Sequence, residues 1–273
     1  MKQRIVFGLA AAAALIALVF EGNLIMITMV VVGFSVLAYL EFDRLFFTKI
    51  SRLRHVRMSF LISVTVLAMI ENQMAGWISL WLCFIFLSSW SVFQSNRSGD
   101  FVQETRELAL EFLGLVYVLA IFGFMIPIWN LGLGRHYLML LFILVFLGDT
   151  GAYFIGIRLG RHRLATKLSP KKSMEGAVAA VISSTVGGML FAYYFIPSLP
   201  EHRLVFKLML FAPAVSVLAQ LGDLFESMFK RSVSQKDSGN FLPGHGGLLD
   251  RIDGLALVSP VYYLFLLFFV ERT

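Results

Sequence analysis

The 273-residue sequence predicts an all-α integral membrane protein, a polytopic bundle of about nine transmembrane helices folded as one domain. Three observations carry that prediction. Apolar residues make up 58% of the chain and charged residues 15%, where soluble domains carry about a quarter charged. Apolar runs of about 20 residues, enough to cross a bilayer, recur from one end to the other. Lysines and arginines gather in alternate connections between those runs, as cytoplasmic loops do. A soluble fold is excluded because the polar residues are too few to cover a core of that size.

The runs fall at 5–20, 24–40, 58–71, 74–93, 108–128, 137–157, 173–196, 204–229 and 254–270. The first follows Lys2 and Arg4, and Glu21 follows it directly without a small-x-small cleavage pattern, so an uncleaved helix is expected rather than a removed signal. The third is short, which admits a tilted or re-entrant pair with the fourth. No repeat or linker divides the chain, giving a single domain 1–273 with N-terminal helices in 1–136 and catalytic helices and loops in 137–273. With the N-terminus cytoplasmic, 19 of the 23 basic residues face the cytoplasm, all but Arg135, Arg203, Lys207 and Arg272. The net charge of +6 thus has an explanation in orientation and in attraction to anionic lipid, and no nucleic-acid partner is expected. The single cysteine, Cys83, lies in an apolar run and reads as a small buried residue.

Against this apolar background, ionisable residues at membrane depth point to function. Asp149 lies inside the sixth run beside Thr150 and one turn before Tyr153; its flanking glycines, Gly148 and Gly151, imply close packing or a locally opened helix. The eighth run ends LAQLGDLFESMFKRS, where Asp223, Glu226, Ser227 and Lys230 share one helical face and Arg231 follows. Then comes SVSQKDSGNFLPGHGGLLDRIDG, whose glycines permit anion-binding turns and whose Asp250 and Asp253 open the last run. One of these acids suffices to cap a helix. Upstream, Lys171 and Lys172 beside Ser173 and Glu175 form a candidate phosphate clamp at a helix start. Acids mixed with bases, glycines and hydroxyls suit phosphate chemistry, because divalent cations bridge carboxylates to phosphates. No zinc spacing, no GxxxxGK[ST] loop and no GxSxG elbow occurs.

The segment Ser227–Asp253 resembles the pattern of the phosphatidate cytidylyltransferase (CDP-diacylglycerol synthase) family. The matching positions are Ser227, Phe229, Lys230, Arg231, Lys236, Asp237, Gly239, Leu242, Pro243, His245, Gly246, Gly247, Leu248, Asp250, Arg251, Ile252 and Asp253, with no departure. Asp149–Tyr153, Ser169–Gly176 and Gly222–Ser227 are similar to the family's other polar stretches, so the likeness covers roughly 140–270. It implies transfer of the cytidylyl group of CTP to phosphatidate, giving CDP-diacylglycerol and pyrophosphate, in the inner (plasma) membrane with the site facing the cytoplasm. It also implies Mg2+ at Asp223 and Asp250, a potassium ion and a homodimer. On that likeness Asp223, Asp250, Asp253, Lys230 and Arg231 are the expected catalytic residues. Asp149, Lys171, Lys172, Ser173, Glu175, Ser227, Lys236, Asp237, His245, Gly246, Gly247 and Arg251 are the expected substrate-binding ones. His245 fits proton transfer and loop fixing equally. Two other readings compete: a CTP-dependent polyprenol or phytol kinase, and an ion transporter using Asp149 and Asp223.

Overall fold

The computed structural model describes residues 2–47, 51–196, 202–239 and 246–270. Each of the nine apolar runs is helical. The helices are α1 (Lys2–Glu21), α2 (Leu24–Phe46), α3 (Arg52–Glu71), α4 (Gln73–Ser98) and α5 (Phe101–Val118), which passes through a π-helical turn at Leu119–Gly123 into α6 (Met125–Trp129). There follow α7 (Gly134–Leu159), α8 (Met174–Phe195), α9 (His202–Ser232), the single turn α10 (Leu249–Ile252) and α11 (Leu255–Phe265). Between α7 and α8 the strands β1 (Arg163–Ala165) and β2 (Ser169–Ser173) pair antiparallel, an element the sequence did not announce. Seven of these helices, counting Phe101–Trp129 as one, are long and apolar enough to cross a membrane; Ala10–Glu21 and Leu255–Val270 are shorter apolar helices.

The helices outrun the apolar runs at their polar ends because side-chain caps, not hydropathy, stop them. Ser51 Oγ accepts from Arg54 N at 3.3 Å, so α3 begins at Arg52 rather than at 58. Asn72 and Asp100 cap α4 and α5 in the same way, at 2.8 and 3.0 Å. This makes α3 an unbroken helix of 20 residues packed on α4, and each of the two is long and apolar enough to cross a membrane. Helix α7 also runs unbroken through Asp149, which leaves close packing as the reason for its glycines.

Two packing features position the polar groups. On α8 the buried Gly176, Ala180, Ser184, Gly188 and Ala192 recur every fourth residue and face α7. A Cβ on Gly151 of α7 would stand 2.1 Å from Ser183 Oγ, so the backbones meet as closely as small residues allow. The opposite face of α8 exposes Val178, Ile182, Val186 and Leu190, and α4 exposes Trp77, Trp81 and Ile85. Apolar surface of that extent suits lipid and not water. Deeper in the bundle, Phe42 of α2, Tyr117 of α5 and Phe229 of α9 form an edge-to-face and tilted set with centroids 5.5–6.3 Å apart. That set fixes α2 against α9 just where both helices turn polar. Cys83 is buried, as its surroundings required.

Candidate active site

Helix α9 delivers its polar face as the spacing requires. Ser227 Oγ lies 3.4 Å from Asp223 Oδ1, and Lys230 Nζ lies 2.5 Å from Glu226 Oε2. Lys230 also reaches across to Asp250 Oδ1 on α10, at 2.7 Å. This ammonium therefore bridges two carboxylates in a site where the Glu226 side chain is 1% exposed and that of Asp250 11%. The second oxygen of Asp250 accepts from Ser238 N and Gly247 N, both at 2.9 Å. Burial pushes the Asp250 carboxyl up, yet Lys230 and these amides outweigh it and hold the group below the ordinary carboxylate range. Gly246 has φ +85, and a Cβ there would stand 2.9 Å from Asp250 Oδ2, so only glycine fits the turn without strain.

Asp253, half-buried, lies against Glu226 and faces Asp223 and Asp149. Its backbone closes on α9: a Cβ on Gly222 would meet the Asp253 carbonyl oxygen at 2.7 Å. From the other side the β1–β2 hairpin brings Lys172, whose Nζ is 2.5 Å from Asp223 Oδ2. Between hairpin, α7 and α9 opens a cavity of about 690 Å³ lined by Asp149, Tyr153, Lys171, Lys172, Gln220 and Asp223. Asp149, Asp223, Glu226, Asp250 and Asp253 thus meet two lysines across adjoining spaces.

The model of the cytidylyltransferase family matches residues 2–269. The chain belongs to that family. It is 31% identical to the phosphatidate cytidylyltransferase of Bacillus subtilis, over 98% of each chain. The enzyme of the same name from Staphylococcus aureus (strain COL) is 28% identical over 98% of this chain and 99% of its own. That of Thermotoga maritima is 37% identical over 63% of this chain and 64% of its own. The family match reaches into the N-terminal helices, beyond the 140–270 in which the polar motifs lie.

Not every predicted site residue of this cytidylyltransferase-family chain points into the cavity. Glu175 accepts from Arg161 N at 3.1 Å and His162 N at 3.2 Å, which fastens the start of the hairpin. Ser173 caps α8, accepting from Gly176 N at 3.1 Å. Arg231 donates to the carbonyls of Leu168 and Gln235 and so ties α9 to the hairpin turn. Lys236, Asp237 and Arg251 are exposed and do not line the cavity. His245, with Leu242 and Pro243, lies outside the described residues.

Sequence reasoning passed over Glu41. It is 4% exposed near the end of α2, where Oε1 accepts from Leu248 N at 2.9 Å and Oε2 from Leu249 N at 3.0 Å. The available signal was an acid directly following the second apolar run. A second ion network was also missed: Arg54 Nε meets Asp43 Oδ1 at 2.5 Å, His55 Nε2 meets Asp43 Oδ2 at 2.8 Å, and Arg57 pairs with Glu111. It braces the cytoplasmic-side ends predicted for α2, α3 and α5.

The donor set suits a divalent cation shared with substrate. Glu226 is buried against the Asp253 carboxyl, and five carboxylates face two ammonium groups. Among the described residues, no three carboxylates or imidazoles converge closely enough to hold an ion alone. Mg2+ is commonly held by one or two carboxylates with substrate phosphates supplying the rest.

Proposed function

We propose that this chain transfers the cytidylyl group of CTP to phosphatidate, releasing pyrophosphate and forming CDP-diacylglycerol for phospholipid synthesis. The observation that carries the reading is the Lys230 ammonium between Glu226 and Asp250, beneath a glycine turn, in a chain that the cytidylyltransferase family model matches almost throughout. In the reaction a phosphatidate oxygen attacks the α-phosphorus of CTP. The new P–O bond forms as the bond from the α-phosphorus to the bridging oxygen breaks, and its electron pair leaves on pyrophosphate. Phosphatidate already presents an ionised oxygen, so no protein nucleophile is needed and positioning with charge neutralisation supplies the rate.

The roles follow from placement. Lys171 and Lys172 line the cavity and bind phosphate oxygens there. Lys230 neutralises charge on the reacting phosphates, held in place by Glu226 and Asp250. Arg251, exposed on α10 one residue from Asp250, takes the outer phosphate. Asp149 and Asp253 keep the pocket acidic enough to favour a cation, and Asp223 with Asp250 would hold Mg2+. Bound there, the ion would neutralise charge on phosphate oxygens. The potassium ion and the homodimer expected from the family likeness belong to the same proposal, as do nine crossings with the N-terminus and active site at the cytoplasmic face of the inner membrane. The exposed apolar faces of α4 and α8 suit the surrounding bilayer.

Purified protein given labelled CTP, phosphatidate and Mg2+ is expected to yield CDP-diacylglycerol and pyrophosphate, and Asp250→Asn to abolish the reaction. CDP with a phosphorylated lipid would instead identify a CTP-dependent lipid kinase. Ion movement in liposomes without CTP consumption would identify a transporter. Labelling of single cysteines placed at Ser234 and Asn130, in a Cys83→Ala background, tests the sidedness.

A further inference from the structure

Two carboxylates divide one turn between them. The consecutive amides of Gly247, Leu248 and Leu249 donate to Asp250, Glu41 and Glu41 in that order. Ser238 donates its N–H to Asp250 Oδ2 and its Oγ to Glu41 Oε2, the latter at 3.3 Å. Glu41 thus accepts from three donors that otherwise lie buried, two of them amides at the start of α10 with no partner inside that helix. The packing around it is close: a Cβ on Gly247 would stand 2.7 Å from Glu41 Oε2, and one on Gly239 3.0 Å from Glu41 Oε1. The helix that carries Glu41 is itself fixed to α9 through Phe42 against Phe229, at 5.8 Å.

We propose that Glu41 is a positioning residue for cytidylyl transfer, clamping Ser238 and the 247–249 turn from the N-terminal half so that Asp250 stays beside Lys230. The inference rests on the function proposed above. It gives the N-terminal helices a part in the chemistry, although their apolar sequence carries no motif. A carboxylate suits the task because it only accepts hydrogen bonds. Glutamine has the same shape but offers one acceptor and an amide donor, which would face an N–H donor here. Glu41→Gln therefore breaks the clamp with almost no change in volume.

The test compares wild type, Glu41→Gln and Glu41→Asp as full-length protein in mixed micelles, with two readouts. In the CTP–phosphatidate assay, Glu41→Gln is expected to lower kcat on the order of 10- to 100-fold, as small misplacements of catalytic groups do, with KM for CTP near the wild-type value. Glu41→Asp, which keeps the charge but falls one methylene short, should recover part of that loss. In hydrogen exchange resolved to single amides, Glu41→Gln should speed exchange at Ser238 and Gly247, whose amides Glu41 does not touch, as well as at Leu248 and Leu249. A mere helix cap would move only the last two, and that result overturns the proposal. Wild-type kcat in Glu41→Gln would overturn it too, as would faster exchange throughout α2, α5 and α9. Should wild type make no CDP-diacylglycerol, the functional reading fails, while the exchange pattern still decides whether Glu41 holds the Asp250 turn.

Discussion

Replacing Lys230 by methionine tests the centre of the site most directly. The ammonium lies 2.5 Å from Glu226 and 2.7 Å from Asp250, and all three side chains are at most 11% exposed. Methionine preserves most of the volume, so the loss is electrostatic: two carboxylates remain buried without their shared cation. Removing one partner of a buried ion pair costs about 3–5 kcal/mol. Against a total stability of about 5–15 kcal/mol, that is a large fraction. Reversible unfolding in mixed micelles near neutral pH should show it, with transfer activity lost. Lys230→Met combined with Glu226→Gln should regain part of the stability and none of the activity. The pH dependence has a definite sign. Asp250 is held below the ordinary carboxylate range, so its contribution is complete above that range and is lost as pH falls through the lowered value. The variant keeps the two amide bonds but not the part due to Lys230, so the gap between it and wild type narrows on acidification. A Lys230→Met protein within about 1 kcal/mol of wild type at neutral pH would refute the reasoning, because that is no more than a surface pair contributes.

Gly247→Ala should cost about 1–3 kcal/mol, the usual range for overpacking, and abolish transfer. Its Cβ would stand 2.0 Å from Ser238 Oγ and 2.8 Å from Gly239 N, which thermal unfolding and the transfer assay together would register. Asp43→Asn weakens the pairing with Arg54 and His55 away from the cavity, so the unfolding midpoint should fall while KM for CTP stays at its wild-type value. Tyr262→Phe removes the 2.9 Å bond to the Tyr137 carbonyl oxygen and should cost about 0.5–1.5 kcal/mol in the same unfolding assay, with kcat unchanged. Asp223→Asn should raise the Mg2+ concentration needed for half-maximal activity, and an unchanged requirement would remove Asp223 from the metal site.

Much of this arrangement was readable in the sequence because its signals are local. Helical spacing alone placed Asp223, Glu226, Ser227 and Lys230 on one face, and the ion pair and hydrogen bond among them bear that out. Hydropathy located the helices but drew several too short, starting α3 and α5 late, because their first turns are polar and begin at caps, Ser51 and Asp100. Glu41 escaped notice for a physical reason: an acid one turn from a helix end has an ordinary explanation as an interfacial charge. Its partners, Leu248 and Leu249, lie about two hundred residues away and contribute backbone amides, which no sequence pattern marks. Glu175 and Ser173 illustrate the converse. The family likeness set them among the substrate-binding residues, but the strand pair that places them beside His162 and Gly176 depends on chain reversal, and there they hold backbone.

The close fit of α7 and α8 bears on how the cavity meets its substrates. Asp149 projects from one helix of the pair, and Lys172 stands directly before the other. Backbones in contact along a row of glycines, alanines and serines leave little slack for one helix to slide on its neighbour. If this wall receives the triphosphate, as proposed, it is expected to keep its shape on binding, with little reorganisation energy on that side of the site. Rearrangement during turnover would then fall on elements other than this helix pair.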